Sequence, residues 1–191
     1  SPRQVGIPSQ GLFGLLDLNA DGTHRYDFDT SNPDLIALAA SERAGEDGTY
    51  TIEDTDGDQS TAVLSFTFVG VNDAPSLTVP SSADVLASLS RQISDIQVAE
   101  PDKGDSVTVI LTGTGGVLSS TTSGATGSGT STLSFTGSVA AANTFLSSFT
   151  FDAGSTGPVS LSVQVTDTGG LNASDTIPLT LLQGPQATSI A

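Results

Sequence analysis

The chain has 191 residues, with 5 basic and 21 acidic side chains, a formal net charge of −16 and no cysteine. The charge excludes nucleic acid and anionic membrane surfaces as expected partners, and the lack of cysteine excludes disulfides and thiolate metal sites. No apolar run approaches the roughly 20 residues of a membrane span, so no membrane insertion is expected.

Seven segments alternate apolar and polar residues at period two and end near Gly, Asp, Asn or Pro, a pattern that predicts β-strands. In chain order they are 24–29, 49–54, 62–70, 106–113, 131–139, 159–167 and 175–183. Two further segments, 32–44 and 138–149, have helical spacing, and Asn32 or Ser31 is the expected N-cap of the first. The Gly- and Thr-rich stretch 112–132 predicts a flexible hairpin or loop. Strands at this spacing indicate antiparallel sandwich sheets and not alternating strand–helix units.

An internal repeat divides the chain. The stretch DTDGDQSTAVLSFTFVG from Asp54 resembles DTGGLNASDTIPLTLLQG from Asp167, with an acidic turn, a polar spacer, an alternating strand and a glycine. A repeat of this length is the size of one sandwich domain. We therefore predict a first domain over 1–72, a linker over 73–75, a second domain over 76–183 and a tail over 184–191. The first domain is expected to be small or to lack opening strands.

Two acidic turns are candidate calcium sites. The candidate ligands are Glu100, Asp102 and Asp105 in the stretch AEPDKGD, and Glu53, Asp54 and Asp56 in the stretch EDTDGDQS. Calcium takes roughly six to eight oxygen ligands, which closely spaced carboxylates supply. A solvated acidic turn between strands is the alternative for both. The second turn faces either the junction of the two domains or a preceding module, depending on the end of its strand that it occupies.

A third acidic stretch, DLNADGTHRYDFD, matches the start of an EF-hand loop at Asp17, Asn19, Asp21 and Gly22. The match fails at the twelfth loop position, where Phe28 replaces the bidentate Glu, and the residues after Gly22 alternate as a strand does. A hairpin turn at Asn-Ala-Asp-Gly explains the stretch without metal. A calcium site that needs no helix is the alternative.

These motifs resemble two known families. Residues 11–75 resemble the C-terminal two thirds of a VCBS repeat, with an L-N-A-D-G-T hairpin, a short Ala/Leu helix, a D-x-D-G turn and a terminal G-x-N-D-A-P. Residues 76–183 resemble a bacterial cadherin-like domain, with VAEPDKGD, GGVLSS, SVAAANTFLSSF and VQVTD in the family's order. The resemblance implies an all-β chain of two tandem Ig- or cadherin-like β-sandwiches with Greek-key topology. It also implies a giant bacterial surface protein of the RTX-adhesin type, exported by type I secretion.

The resemblance further implies that calcium bridges the joint of the two modules. In cadherin-type tandems an Asn-Asp linker shares calcium ions with an acidic turn of the next module. The residues that hold those places here are Asn72, Asp73, Glu100 and Asp102, with Asp105 nearby. Gly70 replaces the leading Asp of the linker and Glu100 replaces an Asp of the turn, so one ion is expected at the joint and not three.

The sequence thus predicts calcium-stabilised extender modules of an extracellular bacterial adhesin that acts in cell adhesion or biofilm formation. The expected partners are neighbouring repeat modules of the same chain. The alternative is a carbohydrate- or protein-binding module, free or accessory to a secreted polysaccharide-degrading enzyme, with a host or bacterial surface glycan or protein as its partner. Tyr26 and Tyr50 are its candidate aromatic contacts. No enzyme is predicted, because the single histidine, His24, has no nucleophile motif near it.

Overall fold

The computed structural model describes residues 3–4, 9–19 and 23–184, which form mostly β-strands. The chain divides into two compact units, Ser1–Asn72 and Asp73–Ala191. Asp21 and Gly22 of the EF-hand-like stretch lie outside the described residues, as does the predicted tail beyond residue 184. Within the described part, no helix is long and apolar enough to cross a membrane.

The first unit consists of two small antiparallel sheets. Its elements are β1 (Arg3–Gln4), β2 (Ser9–Gln10), β3 (Gly14–Leu18), β4 (His24–Phe28), α1 (Pro33–Ile36), β5 (Arg43–Glu53) and β6 (Gln59–Val69). The strand orders are β2-β3-β4 and β1-β5-β6, and β5 and β6 form one hairpin paired along 11 residues. Aromatic rings join the sheets, with the ring centroids of Tyr26 and Phe66 4.4 Å apart. The described residues of the EF-hand-like stretch lie in or next to β3 and β4, which pair antiparallel with Leu18 opposite His24.

The helix predicted over 32–44 is wrong in its length. Asn32 caps α1 as expected, because its side chain accepts two backbone N–H groups, but the helix ends at Ile36. Ser41 then has a φ of 68°, in the left-handed region, and residues 43–44 already belong to β5. Pairing along a long hairpin outweighs the weak stability of a short isolated helix.

The second unit is a β-sandwich. Its elements are β7 (Ser76–Thr78), β8 (Ala83–Leu86), β9 (Ser90–Gln92), β10 (Gln97–Ala99), β11 (Ser106–Thr114), β12 (Gly116–Ser119), β13 (Thr132–Ser138), α2 (Val139–Leu146), β14 (Thr150–Ala153), β15 (Ser160–Asp167) and β16 (Asn172–Leu182). One sheet has the order β13-β11-β15-β16-β8, a second has the order β12-β14-β9, and β10 pairs with β7. Leu111 of the larger sheet and Phe151 of the smaller one are buried in one common core. The predicted all-β class is therefore confirmed.

The stretch 112–132, predicted as a flexible hairpin or loop, is held by many hydrogen bonds. It includes β12, and the Gly129 N–H donates to the Leu118 carbonyl at 2.7 Å. Thr126 and Ser134 exchange backbone hydrogen bonds of 2.8 and 2.9 Å. Ser and Thr hydroxyls in the stretch bond nearby backbone groups, and such local bonds order a chain that its glycine content alone would leave loose.

Asn143 of α2 fixes the position of β10. Its Oδ1 accepts the Val98 N–H and its Nδ2 donates to the Val98 carbonyl, both at 2.9 Å. Since β10 leads directly into Glu100 and Asp102, this pair of bonds sets where the acidic turn begins.

Replacing Asn143 is expected to destabilise the second unit. Asn143→Ala leaves both backbone groups of Val98 without these partners, which costs about 2 kcal/mol in the free energy of unfolding. Thr144→Ala is the matched control, because Thr144 is exposed on the same helix. Urea denaturation followed by circular dichroism measures the difference. Equal unfolding midpoints for the two variants would contradict a stabilising role for the two Asn143–Val98 hydrogen bonds.

Candidate calcium site

Four carboxylates of the second unit gather at one end of its larger sheet. Glu100 and Asp102 follow β10, Asp105 precedes β11 and Asp167 ends β15. Antiparallel pairing of β11 with β15 places Val107 opposite Asp167. Two turns that are distant in sequence therefore meet at the same edge.

A threonine ties these two turns together. The Thr168 Oγ1 accepts the Ser106 N–H at 3.2 Å and donates to the Ser106 carbonyl at 3.0 Å. Gly104, in the acidic turn, has a φ of 90°. A Cβ at this position would have no other atom within 4 Å. Glycine is favoured here because the backbone is in the left-handed region, and not because a side chain would lack space.

Several of the carboxylate oxygens are buried. Asp102 is 2% exposed and Asp167 is 6% exposed. The Asp102 Oδ2 accepts the Asp73 N–H at 2.9 Å, and the Glu100 Oε1 accepts the Asp102 N–H at 3.1 Å. The other oxygens of this pair, Glu100 Oε2 and Asp102 Oδ1, are buried without a hydrogen-bond partner. A buried carboxylate oxygen without a partner carries a large desolvation cost, which a cation would offset.

The electrostatics agree with the burial. Desolvation raises the pKa of Glu100, the Asp102 N–H bond lowers it, and the negative charges of Asp167, Asp102 and Asp105 raise it further, for a net upward shift. Burial, and then repulsion within the cluster, thus make the ionised form of Glu100 costly in the absence of a counter-charge.

The cluster is open and is not a closed ligand shell. Among the described residues, no group of three or more Asp, Glu or His side chains is already arranged to hold a metal ion. The donor set nevertheless fits calcium, because every donor is an oxygen and two of the oxygens have no other partner. Binding would need these side chains to move inward or further oxygens to complete the shell.

Without calcium, the second unit is expected to become more stable as the pH falls through the raised pKa of Glu100 towards its ordinary value of 4.5. The raised pKa of Glu100 means that the folded state binds a proton more tightly than the unfolded state. The gain begins as the pH falls through the raised pKa and is complete below the ordinary value of 4.5. Because Glu100 is partly exposed, the gain is modest.

Thermal unfolding in chelator across this pH range tests the linkage. Glu100→Gln removes the titrating group and is expected to flatten the dependence that this residue contributes. An identical pH slope in the wild type and the variant would rule Glu100 out as the cause.

The other predicted ligands lie in the β5–β6 turn of the first unit. The Asp54 Oδ1 accepts the N–H groups of Asp56 and Asp58 at 3.0 Å each, and the Glu53 Oε2 accepts the Gln59 side-chain amide at 2.9 Å. These bonds shape an exposed hairpin turn. Calcium binding by Glu53, Asp54 and Asp56 stays a prediction.

The position of this turn follows from the strand that leaves it. β6 runs for 11 residues from the turn towards Asn72, the last residue of the first unit. A strand of that length spans roughly 36 Å. Glu53, Asp54 and Asp56 therefore lie at the opposite end of β6 from Asn72, and the structure does not bring these two groups of predicted ligands together.

The turns at Asp54 and Asp167 have the same hydrogen bonds. In each, the Asp N–H donates to the carbonyl four residues later, and the Asp Oδ1 accepts the N–H of that residue. Gly57 and Gly170 both have a φ of 91° and donate to the Asp carbonyl at 3.3 Å. The repeat seen in the sequence is thus a repeated turn. The predicted ligand set contains Asp54 but misses Asp167, although aligning the two copies identifies it.

Solved structures with a similar backbone path include tandem extracellular cadherin domains. The human CDH23 EC21–23 structure has a TM-score of 0.48 and 15% identity over 96% of this chain and 62% of its own. The protocadherin gamma B2 structure of extracellular cadherin domains 1–5 has a TM-score of 0.42 and 12% identity over 98% of this chain and 33% of its own. The chain thus spans less than two thirds of either structure.

No family model and no curated protein matches the sequence. At TM-scores below 0.5, the cadherin structures describe similarity of form and carry no information on function. The sandwich assignment of the second unit rests on its strand pairing and its common core.

Proposed function

We propose that the chain is a pair of calcium-stabilised structural modules of an extracellular adhesin, without enzymatic activity. The observation that carries the proposal is the pair of buried oxygens without partners, Glu100 Oε2 and Asp102 Oδ1. Calcium would supply the positive charge that these oxygens lack, and it takes oxygen ligands alone. Its further ligands would be Asp105 and Asp167, and Asp73 is close enough to bond Asp102 through its N–H.

The finer identity follows from the sequence resemblance. The proposal is that these are extender modules of a bacterial RTX-type adhesin, exported by type I secretion and acting in adhesion or biofilm formation. Asn72 precedes Asp73 in the Asn-Asp linker motif and is proposed as a further ligand. Neighbouring modules of the same chain are the proposed partners.

Calcium supply would decide when these modules become rigid. Extracellular modules bind calcium with dissociation constants of roughly 0.1 to 1 mM, so the ion would load outside the cell and not in the cytosol. A net charge of −16 opposes compaction until cations bind. Calcium would stabilise whichever conformation binds it, so rigidity would follow export.

The alternative of a glycan- or protein-binding module receives less support. Tyr26, one of its two candidate aromatic contacts, packs against the rings of Phe66 and Phe68. Its hydroxyl donates to Glu46 at 2.8 Å. A ring held in this way supports the first unit's own packing and offers little free face to a sugar.

Isothermal titration of the chelator-treated chain with calcium tests the proposal. We expect a dissociation constant of roughly 0.1 to 1 mM, weakened at least about tenfold by Asp102→Asn or Asp167→Asn, since each removes a buried charge. Asp84→Asn is the matched control, because Asp84 is exposed on β8 of the same unit. Absence of any binding heat up to about 10 mM calcium, ten times the weaker of these constants, would defeat the proposal.

The first unit's turn is tested with the same titration. Asp54→Asn and Asp56→Asn remove carboxylates from that turn alone. Loss of a second, weaker binding event in these variants would support a site there, and an unchanged isotherm would assign those residues to the hairpin turn.

A further inference from the structure

β6 of the first unit has one edge without a strand. It pairs with β5 on one side, and no strand in the described part of the chain pairs with its other side. Its 11 residues, QSTAVLSFTFV, include no charge, no proline and no glycine. Natural sheet edges are usually protected by charged residues, proline, bulges or a covering segment. β6 is therefore an unusually receptive edge.

The second unit shows how the equivalent edge is covered. β6 and β16 have equal lengths and follow turns with the same hydrogen bonds, so Phe66–Val69 corresponds to Leu179–Leu182. Leu179–Leu182 pairs in parallel with Ala83–Leu86 of β8. Val85 of that strand is 0% exposed and belongs to the core. A parallel strand with an inward aliphatic residue thus completes the second unit.

β16 also carries protection that β6 lacks. Pro178 and Asp175 both lie within it, and Pro178 occupies the place that Ser65 has in β6. Proline removes one N–H from the ladder and is found on strands whose N–H would face an edge. The equivalent Ser65 N–H in β6 is present, so the two units differ in edge chemistry as well as in coverage.

The direction of the backbone groups on β6 follows from its hairpin. The Gly70 N–H donates to the Glu42 carbonyl at 2.8 Å, so even-numbered residues of β6 bond β5. Alternation then turns the N–H and C=O groups of Ser65, Thr67 and Val69 towards the uncovered edge.

The equivalent strand of the second unit, β16, has its backbone groups turned in the same direction. The Leu182 carbonyl, which corresponds to that of Val69, accepts the Ala87 N–H at 2.9 Å just beyond β8. Outward groups at this position are thus the ones that the covering segment uses.

An apolar groove lies beside the same residues. It has a volume of about 380 Å³, and its lining includes Phe28, Leu38, Phe68 and Val69. Phe28 is 58% exposed and Val69 is 53% exposed. Val85 of β8 lies opposite Leu181, the equivalent of Phe68, so a strand docked on β6 in the same way would place one side chain over this groove.

We propose that Phe66–Val69 is a strand-acceptor site. Its occupant is an extended peptide segment that runs parallel to β6 and carries an aliphatic residue opposite Phe68, as Val85 lies opposite Leu181. The segment would bond the outward groups of Thr67 and Val69 and fill the groove. This site involves no carboxylate and works without calcium, so its failure and the failure of the proposed function are distinguishable.

A covalently attached probe tests the site in the whole chain. The sequence PSSADVLASL, that of residues 80–89, is fused ahead of Ser1 through a Gly/Ser linker of about 20 residues, long enough to reach across a small domain. Attachment raises its effective concentration to about the millimolar range. Amide exchange is then measured by NMR in chelator.

The exchange pattern has an internal control. The amides of Thr67 and Val69 are expected to exchange at least about tenfold more slowly in the fusion, whereas those of Phe66 and Phe68, already bonded to β5, change little by comparison. Replacing the probe's valine, the counterpart of Val85, by Asp is expected to abolish the effect. Thr67→Pro, which removes an outward N–H, is expected to weaken it while the β5 pairing persists.

Three results would overturn the proposal. One is unchanged exchange at Thr67 and Val69 in the fusion. A second is equal protection with the Asp-containing probe, which would show that the groove does not select an aliphatic residue. The third is protection that appears only together with dimerisation in sedimentation analysis, which would assign the edge to a second copy of the chain.

Discussion

Calcium at about 10 mM is expected to raise the melting temperature of the second unit by roughly 5 to 10 °C. At dissociation constants of roughly 0.1 to 1 mM, that concentration stabilises the folded state by about 1.4 to 2.7 kcal/mol. A domain of this size gains several degrees for each such kcal/mol. Differential scanning calorimetry with calcium and with chelator measures the shift.

Asp102→Asn sharpens this test because its expected effect changes sign with calcium. In chelator the substitution removes a buried charge with a partnerless oxygen, Oδ1, and lessens repulsion with Glu100. The variant is therefore expected to equal or exceed the wild type in melting temperature. In calcium it loses a ligand and is expected to melt below the wild type.

The control separates ion binding from general screening of the net charge. Asp84→Asn also removes one negative charge, but from an exposed position on β8. It is expected to keep the full calcium response. Magnesium or sodium at matched ionic strength is a second control, because screening does not discriminate between ions as a site does. A shift of the same size with every salt would refute a specific site.

Most of the longer strands could be predicted from the sequence because period-two alternation reports which face is buried, whereas short strands such as β3, β8 and β14 were not predicted. The segment 106–113, for example, is found as Ser106–Thr114, with Val107, Val109 and Leu111 buried. The helix over 32–44 was overestimated because Ala and Leu favour helix locally, while the partner strand that captures residues 43–44 follows later in the chain. Local preference cannot contain that information.

The candidate site was partly accessible for the same reason. Glu100, Asp102 and Asp105 lie close in sequence, and their clustering was visible without a fold. Asp167 joins them through the pairing of β11 with β15, which no local pattern reveals. The internal repeat was the one sequence signal that pointed to it, since Asp54 holds the equivalent position.

The two units differ greatly in how much apolar surface they bury. Among the described residues of the first unit, Phe13 and Leu16 are the buried apolar side chains, while the second unit has a large common core. Small domains that bury little surface are marginally stable. The first unit therefore depends more heavily on individual polar contacts.

Glu46 makes the central polar contact of the first unit, and no sequence pattern identified it. It lies on β5, and its Oε2 accepts the Phe13 N–H and the Tyr26 hydroxyl at 2.8 Å each. It thereby links the two sheets of the unit. Burial, the hydrogen bond to Glu46 and the charge of Glu46 raise the pKa of Tyr26 to about 12.

Glu46→Ala is expected to unfold the first unit while the second stays folded. The substitution removes both hydrogen bonds to a charged acceptor, at about 1.5 to 3 kcal/mol each. A loss of about 3 to 6 kcal/mol equals most of the stability of so small a domain. The carboxylate also packs directly against Gly11, where an added Cβ would lie 1.5 Å from Glu46 Oε1.

Two matched variants and one pH series define the outcome. Glu46→Gln keeps the shape and an acceptor oxygen, and Tyr26→Phe keeps the ring packing, so each is expected to cost about 1 to 2 kcal/mol. Amide NMR spectra report the two units separately.

The folded-state pKa of Tyr26 is raised to about 12 from 10.0. The first unit is therefore expected to lose stability as the pH rises through that interval, and Tyr26→Phe removes this loss. Native amide signals in both sheets of Glu46→Ala, in β3 and β4 as well as in β5 and β6, would show that the sheets associate without this carboxylate.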